Sequence, residues 1–235
     1  MIDSFAKVIS DYAEESSSQV FGQNLFKPSY ISGLGKYLLL EDGVTPKKSD
    51  YFDSSNIELT SLGYGIGRAI SGSNTILVVK QQDFLFLGLD QLINTLINIS
   101  PETKPFGSFI IICLISDLPK EGTQAYSNNI SLFESLPANL HSYYHYYPFT
   151  FQQALRYANT FSIHFLSCQH IYDASPLKDD SIPYKCIESE IPYIGKPSSD
   201  LWHILLGFVP SKVIGGLLND YILLPTSIRR ASILK

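Results

Sequence analysis

Apolar residues recur at helical spacing over 2–15, where Ile2, Phe5, Ala6, Ile9 and Ala13 fall on one face. The pattern predicts an amphipathic helix that ends at Ser16–Ser18. Val20-Phe21-Gly22 then predicts a short strand running into a loop at Gln23-Asn24. Residues 26–55 mix Gly, Ser, Pro, Tyr and Lys and predict a loop, with one candidate strand at 37–40. Regular patterning returns afterwards, as a helix over 59–71, a strand over 75–80 and a helix over 84–99. Ser100-Pro101 stops that last helix, because proline cannot continue it and restrains the residue before it. The run SFIIICLIS at 108–116 is almost wholly apolar, as expected of a strand buried on both faces of a parallel sheet. A polar loop at 117–129, a short helix at 130–136, an aromatic strand at 140–147, a helix at 151–159 and a strand at 162–166 follow. This alternation predicts an α/β fold with a mostly parallel sheet flanked by helices.

Composition narrows the function classes. The 235 residues are 45% hydrophobic and only 17% charged, so the chain can bury a large core. That length suits one large domain, or one domain and a fragment. So few charges predict a surface partly covered by a partner. The net charge of −5, with no basic stripe, argues against nucleic-acid binding. No apolar run approaches the roughly 20 residues needed to span a bilayer, so no membrane insertion is expected. The N-terminus is acidic and amphipathic and lacks a secretory pattern. Cys113, Cys168 and Cys186 are odd in number, widely spaced and form no metal motif. These features together predict a reducing, cytoplasmic setting.

The chemistry-bearing candidates concentrate between Asn56 and Asn94, which reads NIELTSLGYGIGRAISGSNTILVVKQQDFLFLGLDQLIN. Glu58 stands at the entrance to the helix over 59–71. A carboxylate there also suits the helix dipole with no further role. Gly63, Gly65 and Gly67 do not follow a strand as a dinucleotide-binding loop requires. They suit close packing of the helix on a flat surface, with a helix–helix contact across a subunit interface favoured. The chain has no GxSxG, CxxC or HExxH, and Asp179-Asp180 reads as a solvated linker pair.

The order of these residues resembles the pyrimidine-binding domain of the thiamine-diphosphate enzymes, the transketolase-like domain. It is most similar to the β subunit of the E1 component of 2-oxoacid (pyruvate) dehydrogenases. Ile57-Glu58, the glycine run to Gly72, Phe84, Phe86 and Asp90-Gln91-Leu92-Ile93-Asn94 carry the resemblance, which extends over roughly residues 1–210. In that family the glutamate contacts the aminopyrimidine of the cofactor and activates it for C–C bond cleavage or transfer on a 2-keto substrate. The resemblance therefore implies that Glu58 is catalytic and cofactor-binding. It implies that Phe84 supports the pyrimidine ring, while plain core packing is the other reading of that residue. Asp90 and Asn94 read as helix-capping or subunit-contact residues. The family's diphosphate-binding GDG…N signature is absent from this chain. Thiamine diphosphate would thus be shared with a partner chain, and Mg²⁺ would be held by that partner. The implied partner is an α-like pyrophosphate-domain subunit in a heterotetramer, and the implied substrate is a small 2-keto acid or ketose.

The chain also departs from the family. Gln23-Asn24 replaces an acidic pair, Tyr126 stands at the place of an active-site histidine, and Ser167-Cys168 replaces Glu-His. Tyrosine, with a reference pKa of about 10, cannot replace imidazole as a proton shuttle near neutral pH. His141, His145 and His170 lie elsewhere in the chain. The expected organisation is a pyrimidine-binding domain at 1–173, a linker at 174–190, and a shortened remnant of the C-terminal transketolase-like domain at 191–235. Three functions compete. The chain is a catalytic half-site; or a scaffolding or regulatory subunit that keeps the fold and interface; or an unrelated α/β small-molecule binding protein.

Overall fold

The computed structural model describes residues 2–26, 30–31, 33–96, 98–99, 107–115, 132–133, 136, 140–145, 148–157 and 161–167, and the backbone of four later strands. The expected α/β class is what it shows. The amphipathic N-terminal helix α1 spans Ile2–Glu15 and buries Phe5, Ala6, Ile9 and Ala13, the face set by its apolar spacing. Strand β1 covers Gln19–Gly22, β2 Tyr51–Asp53, and helix α2 Glu58–Ile70. Then come β3 (Thr75–Val79), α3 (Gln82–Phe86), β4 (Phe109–Ile115), β5 (His141–His145), α4 (Pro148–Tyr157) and β6 (Phe161–Ser167).

Six strands form one sheet in the order β2-β1-β3-β4-β6-β5, and every pairing in it is parallel. The chain moves outward from β1 to β2, then returns across β1 to β3. The strand order thus reverses between β1 and β3. In open parallel sheets, the carboxyl ends of two strands flanking such a reversal leave a crevice, because their connections leave in opposite directions.

Two apolar layers flank the sheet. One packs Leu62, Ile66 and Ala69 of α2 and Leu85 of α3 against Leu77, Ile111, Ile163 and Phe165. The other packs Phe5 and Ile9 of α1 and Phe151 and Leu155 of α4 against Ile76, Val78, Ile110 and Leu166. The central strands β3 and β4 are buried at every position, which explains their unbroken apolar sequence.

Helix α2 lies close to the sheet because Gly65 has no side chain. A Cβ at Gly65 would stand 2.2 Å from the Phe109 ring. The close approach at Gly65 is helix on sheet, the packing on a flat surface expected of these glycines. Gly63 faces the Gln91 side chain, and Gly67 faces open space. The helix ends at Gly72, whose φ of +86° suits glycine. There Ser73 N–H donates to Arg68 C=O and Gly72 N–H to Ala69 C=O, which satisfies carbonyls the helix leaves free.

Two expectations need correction. The helix over 84–99 is not continuous: α3 ends at Phe86, a turn covers Leu87-Gly88, and a π-helical segment follows at Gln91–Thr95. Gly88 sits against α2, where a Cβ would lie 2.3 Å from Leu62 Cδ1, so the turn lets the two helices approach. The candidate strand at 37–40 is instead a 3₁₀ turn, Lys36–Leu38, with a single bridge between Leu39 and Pro46. The strand of that region is β2, an edge strand of three residues and too short to show an alternating pattern.

Part of the expected short helix at 130–136 is described, and Leu132-Phe133 is helical. The loop over 117–129, with Tyr126, lies outside the described residues. Beyond β6 a second sheet has the order β7-β8-β10-β9. Its strands are β7 (Tyr184–Ile187), β8 (Ile191–Ile194), β9 (His203–Leu206) and β10 (Tyr221–Leu224). The strand β7 falls within the 174–190 stretch read as a linker.

Candidate functional site around Glu58

The crevice at the β1/β3 reversal is where Glu58 stands. It is lined by Gln23 at the end of β1, Leu77, Val78 and Val79 of β3, Glu58, Ser61 and Leu62 of α2, and Leu85 of α3. Gly22 permits the two strands to close together there, since a Cβ on it would lie 2.3 Å from the Val78 carbonyl oxygen. The interior holds only about 10 Å³, room for a single water molecule at most.

Glu58 is the first residue of α2, and no side chain caps that end of the helix. Its side chain is half-buried. The Gln23 side-chain amide donates a hydrogen bond to Glu58 Oε1. Among the described residues Oε2 has no hydrogen-bond partner, so the carboxylate is oriented by one oxygen and available through the other. The favourable helix dipole also acts on this group, so its placement satisfies both readings made from the sequence.

Phe84 follows the start of α3 and is half-buried, packed against the apolar layer beneath α2. Phe86 stacks on Phe133 with ring centres 5.6 Å apart, a core role. Asn94 donates to Asp90 at 2.6 Å, so these two exposed residues pair with each other along their helical segment. The residue that sequence reasoning underrated is Gln23. Its signal was its position directly after the glycine that closes β1.

The histidines divide. His170 and Cys168 lie outside the described residues. His145 and His164 are buried on the opposite face of the sheet, beside Phe151 of α4, and not near Glu58. His145 Nε2 and His164 Nδ1 are 3.0 Å apart and share a hydrogen bond, and His164 Nε2 pairs with Ser162 Oγ, also at 3.0 Å. Burial pushes His164 down to about 3. It pushes His145 well below the usual imidazole range, with a smaller contribution from His164. Both rings are neutral at physiological pH.

Among the described residues no group of three or more His, Cys, Asp or Glu is arranged to hold a metal ion. No described helix is long and apolar enough to cross a membrane.

No protein-family model matches this chain, and no curated protein matches it. Among solved structures it is similar to a chain described as a split-gene transketolase, an inactive beta4 tetramer. The TM-score is 0.61 at 10% identity, and the match covers 95% of this chain and 70% of that one. At that identity the likeness is one of fold: the parallel sheet and its flanking helices are transketolase-like.

Proposed function

We propose that this chain is the β-like, pyrimidine-binding subunit of a two-component thiamine-diphosphate enzyme, of transketolase or 2-oxoacid dehydrogenase type. The observation that carries the reading is the carboxylate of Glu58, held by Gln23 at the strand-order reversal with one oxygen free. That is the place where a parallel sheet receives a ligand. The donor set suits an aminopyrimidine, because a carboxylate can share a proton with a ring nitrogen. The crevice is too small for a ring, so the ring is held at its mouth, where Glu58 is half-exposed.

When bound, thiamine diphosphate would supply the nucleophilic carbon and the electron sink that C–C cleavage next to a ketone needs. In this chain Glu58 would hold a proton at the pyrimidine nitrogen, with Gln23 orienting its carboxylate. Phe84 supports the ring from α3. The diphosphate and Mg²⁺ fall to an α-like partner chain, as a heterotetramer with a small 2-keto acid or ketose as substrate. The similar solved chain is an inactive assembly of beta chains; this chain alone is likewise expected to be inactive.

A non-catalytic scaffolding subunit is the second reading. It is favoured by Gln23 at a position where the resembling family carries an acidic residue. Glu58→Gln separates the two. Co-purify the chain with its partner, then measure cofactor-dependent turnover and assembly. The half-site reading expects turnover to fall by about a hundredfold or more with assembly intact. Unchanged turnover assigns the chain to the scaffold class.

A further inference from the structure

A second concavity lies beside α2 and is independent of the Glu58 reading. It opens between the ends of β1 and β2 and the first turns of α2, with a volume of about 390 Å³. That is within the range of pockets that hold small organic ligands. It shares Ser54 and Ser61 with the Glu58 crevice, but Glu58 does not line it.

Its wall is aromatic: Phe52 and Tyr64 face the groove, and Phe21, buried behind them, backs the wall. Phe21 and Phe52 stack with ring centres 5.5 Å apart and planes at 15°. Tyr64 stands edge-on to Phe21 at 5.3 Å and to Phe52 at 6.3 Å. The Tyr64 hydroxyl donates to Gln19 Oε1 at 2.6 Å, which fixes the ring although Tyr64 is 40% exposed. An aromatic surface held open in this way loses little freedom when a ligand covers it.

Its polar groups specify what sits on that wall. Asp53 Oδ1 accepts the Phe26 amide at 3.0 Å, and among the described residues Oδ2 accepts nothing. The Ser54 hydroxyl is buried and among the described residues has no hydrogen-bond partner, an arrangement that a bound polar group would relieve. Ser55 and Thr60 add hydroxyls, and among the described residues the lining contains no Lys or Arg. Among the described residues, a phosphate there would thus meet a carboxylate and no cation.

We propose that this groove is a binding site for a flat heteroaromatic amine of nucleoside size, uncharged or cationic. The ring lies on Phe52 and Tyr64, which the buried Phe21 ring backs, and its amino group donates to Asp53.

Adenosine is a suitable probe, with adenosine monophosphate as the charged control. Titrate each into the isotope-labelled full chain and follow the backbone amide NMR signals. Adenosine should shift the amides of Phe52, Ser55, Thr60 and Tyr64, and the monophosphate should bind about tenfold more weakly. Ser55→Trp, at an exposed loop position, should fill the groove and abolish the shifts while the fold persists. Asp53→Asn should narrow the gap between the two probes. Glu58→Gln should leave adenosine binding unchanged, which separates this site from the cofactor reading. The proposal is overturned by the absence of shifts at millimolar adenosine, by shifts confined to residues elsewhere, or by equal binding of the two probes. Groove shifts that follow protein concentration rather than adenosine would also overturn it, in favour of contact between two copies of the chain.

Discussion

Gln23 and Glu58 stand 35 residues apart in sequence, yet the amide of one donates to the carboxylate of the other at the mouth of the central crevice. This contact joins the end of β1 to the start of α2 and decides which carboxylate oxygen is free. Gln23→Leu removes the donor but keeps the bulk. Hydrogen bonds to charged groups contribute about 1.5–3 kcal/mol when fully formed, and partial exposure lowers this. Cofactor-dependent turnover of the assembled enzyme is expected to fall about tenfold, with a denaturation midpoint close to that of the parent. Rescue by Gln23→Asn, but not by Leu, would mark a positioning role. Full activity in Gln23→Leu would remove Gln23 from the site.

Gly65 sets the distance between α2 and the sheet. Gly65→Ala places a methyl group against the Phe109 ring, with ring carbons as near as 2.2 Å. Overpacking of this kind costs about 1–3 kcal/mol, outweighing the better helix propensity of alanine by about 1 kcal/mol. Chemical denaturation should show a net loss of stability. Gly67→Ala, which among the described residues meets nothing within 4 Å, is the control and should be neutral or stabilising. The two variants behaving alike would contradict this packing.

The paired imidazoles of His145 and His164 make stability depend on acid. In the unfolded chain each histidine takes up a proton below about pH 6.5. In the folded chain His164 resists protonation until about 3, and His145 is likewise lowered. The unfolded state therefore binds more protons in this window. The contribution is fully present above pH 6.5 and is lost as the pH falls toward the folded value. The expected slope is about 1.4 kcal/mol per pH unit for each histidine once the unfolded form is fully protonated. Urea unfolding between pH 7 and about 5, where carboxylates change little, measures it. The double variant His145→Phe/His164→Leu should flatten the profile there, and an unchanged slope would place the acid sensitivity elsewhere.

Cys113 lies in β4 and is fully buried. Its thiol should resist a water-soluble thiol reagent in the native protein and react only on unfolding, with a rate that tracks global stability. Fast native-state labelling of Cys113, located by peptide mapping, would contradict the burial of this strand.

The signals legible in the sequence are mostly local. The spacing of Phe5, Ile9 and Ala13 fixed the buried face of α1, and the unbroken apolar run of β4 fixed a central strand. Strand–helix alternation implied a parallel α/β sheet, and Glu58 stood out because its neighbours fell in a recognisable order. Each of these signals is carried by residues close together in the chain. The tertiary structure decided the rest. The three-residue strand β2 is an edge strand that exists through its pairing with β1, so no periodicity announced it. Position 88, in the turn after Phe86, takes a glycine because Leu62, distant in sequence, occupies the space a side chain would need. Gln23 became part of the site, and the Phe21–Phe52–Tyr64 wall formed, only when the reversal of strand order brought the ends of β1 and β2 to the first turns of α2. Contacts between residues far apart in the chain depend on how the strands are ordered, and short-range patterning does not encode that order.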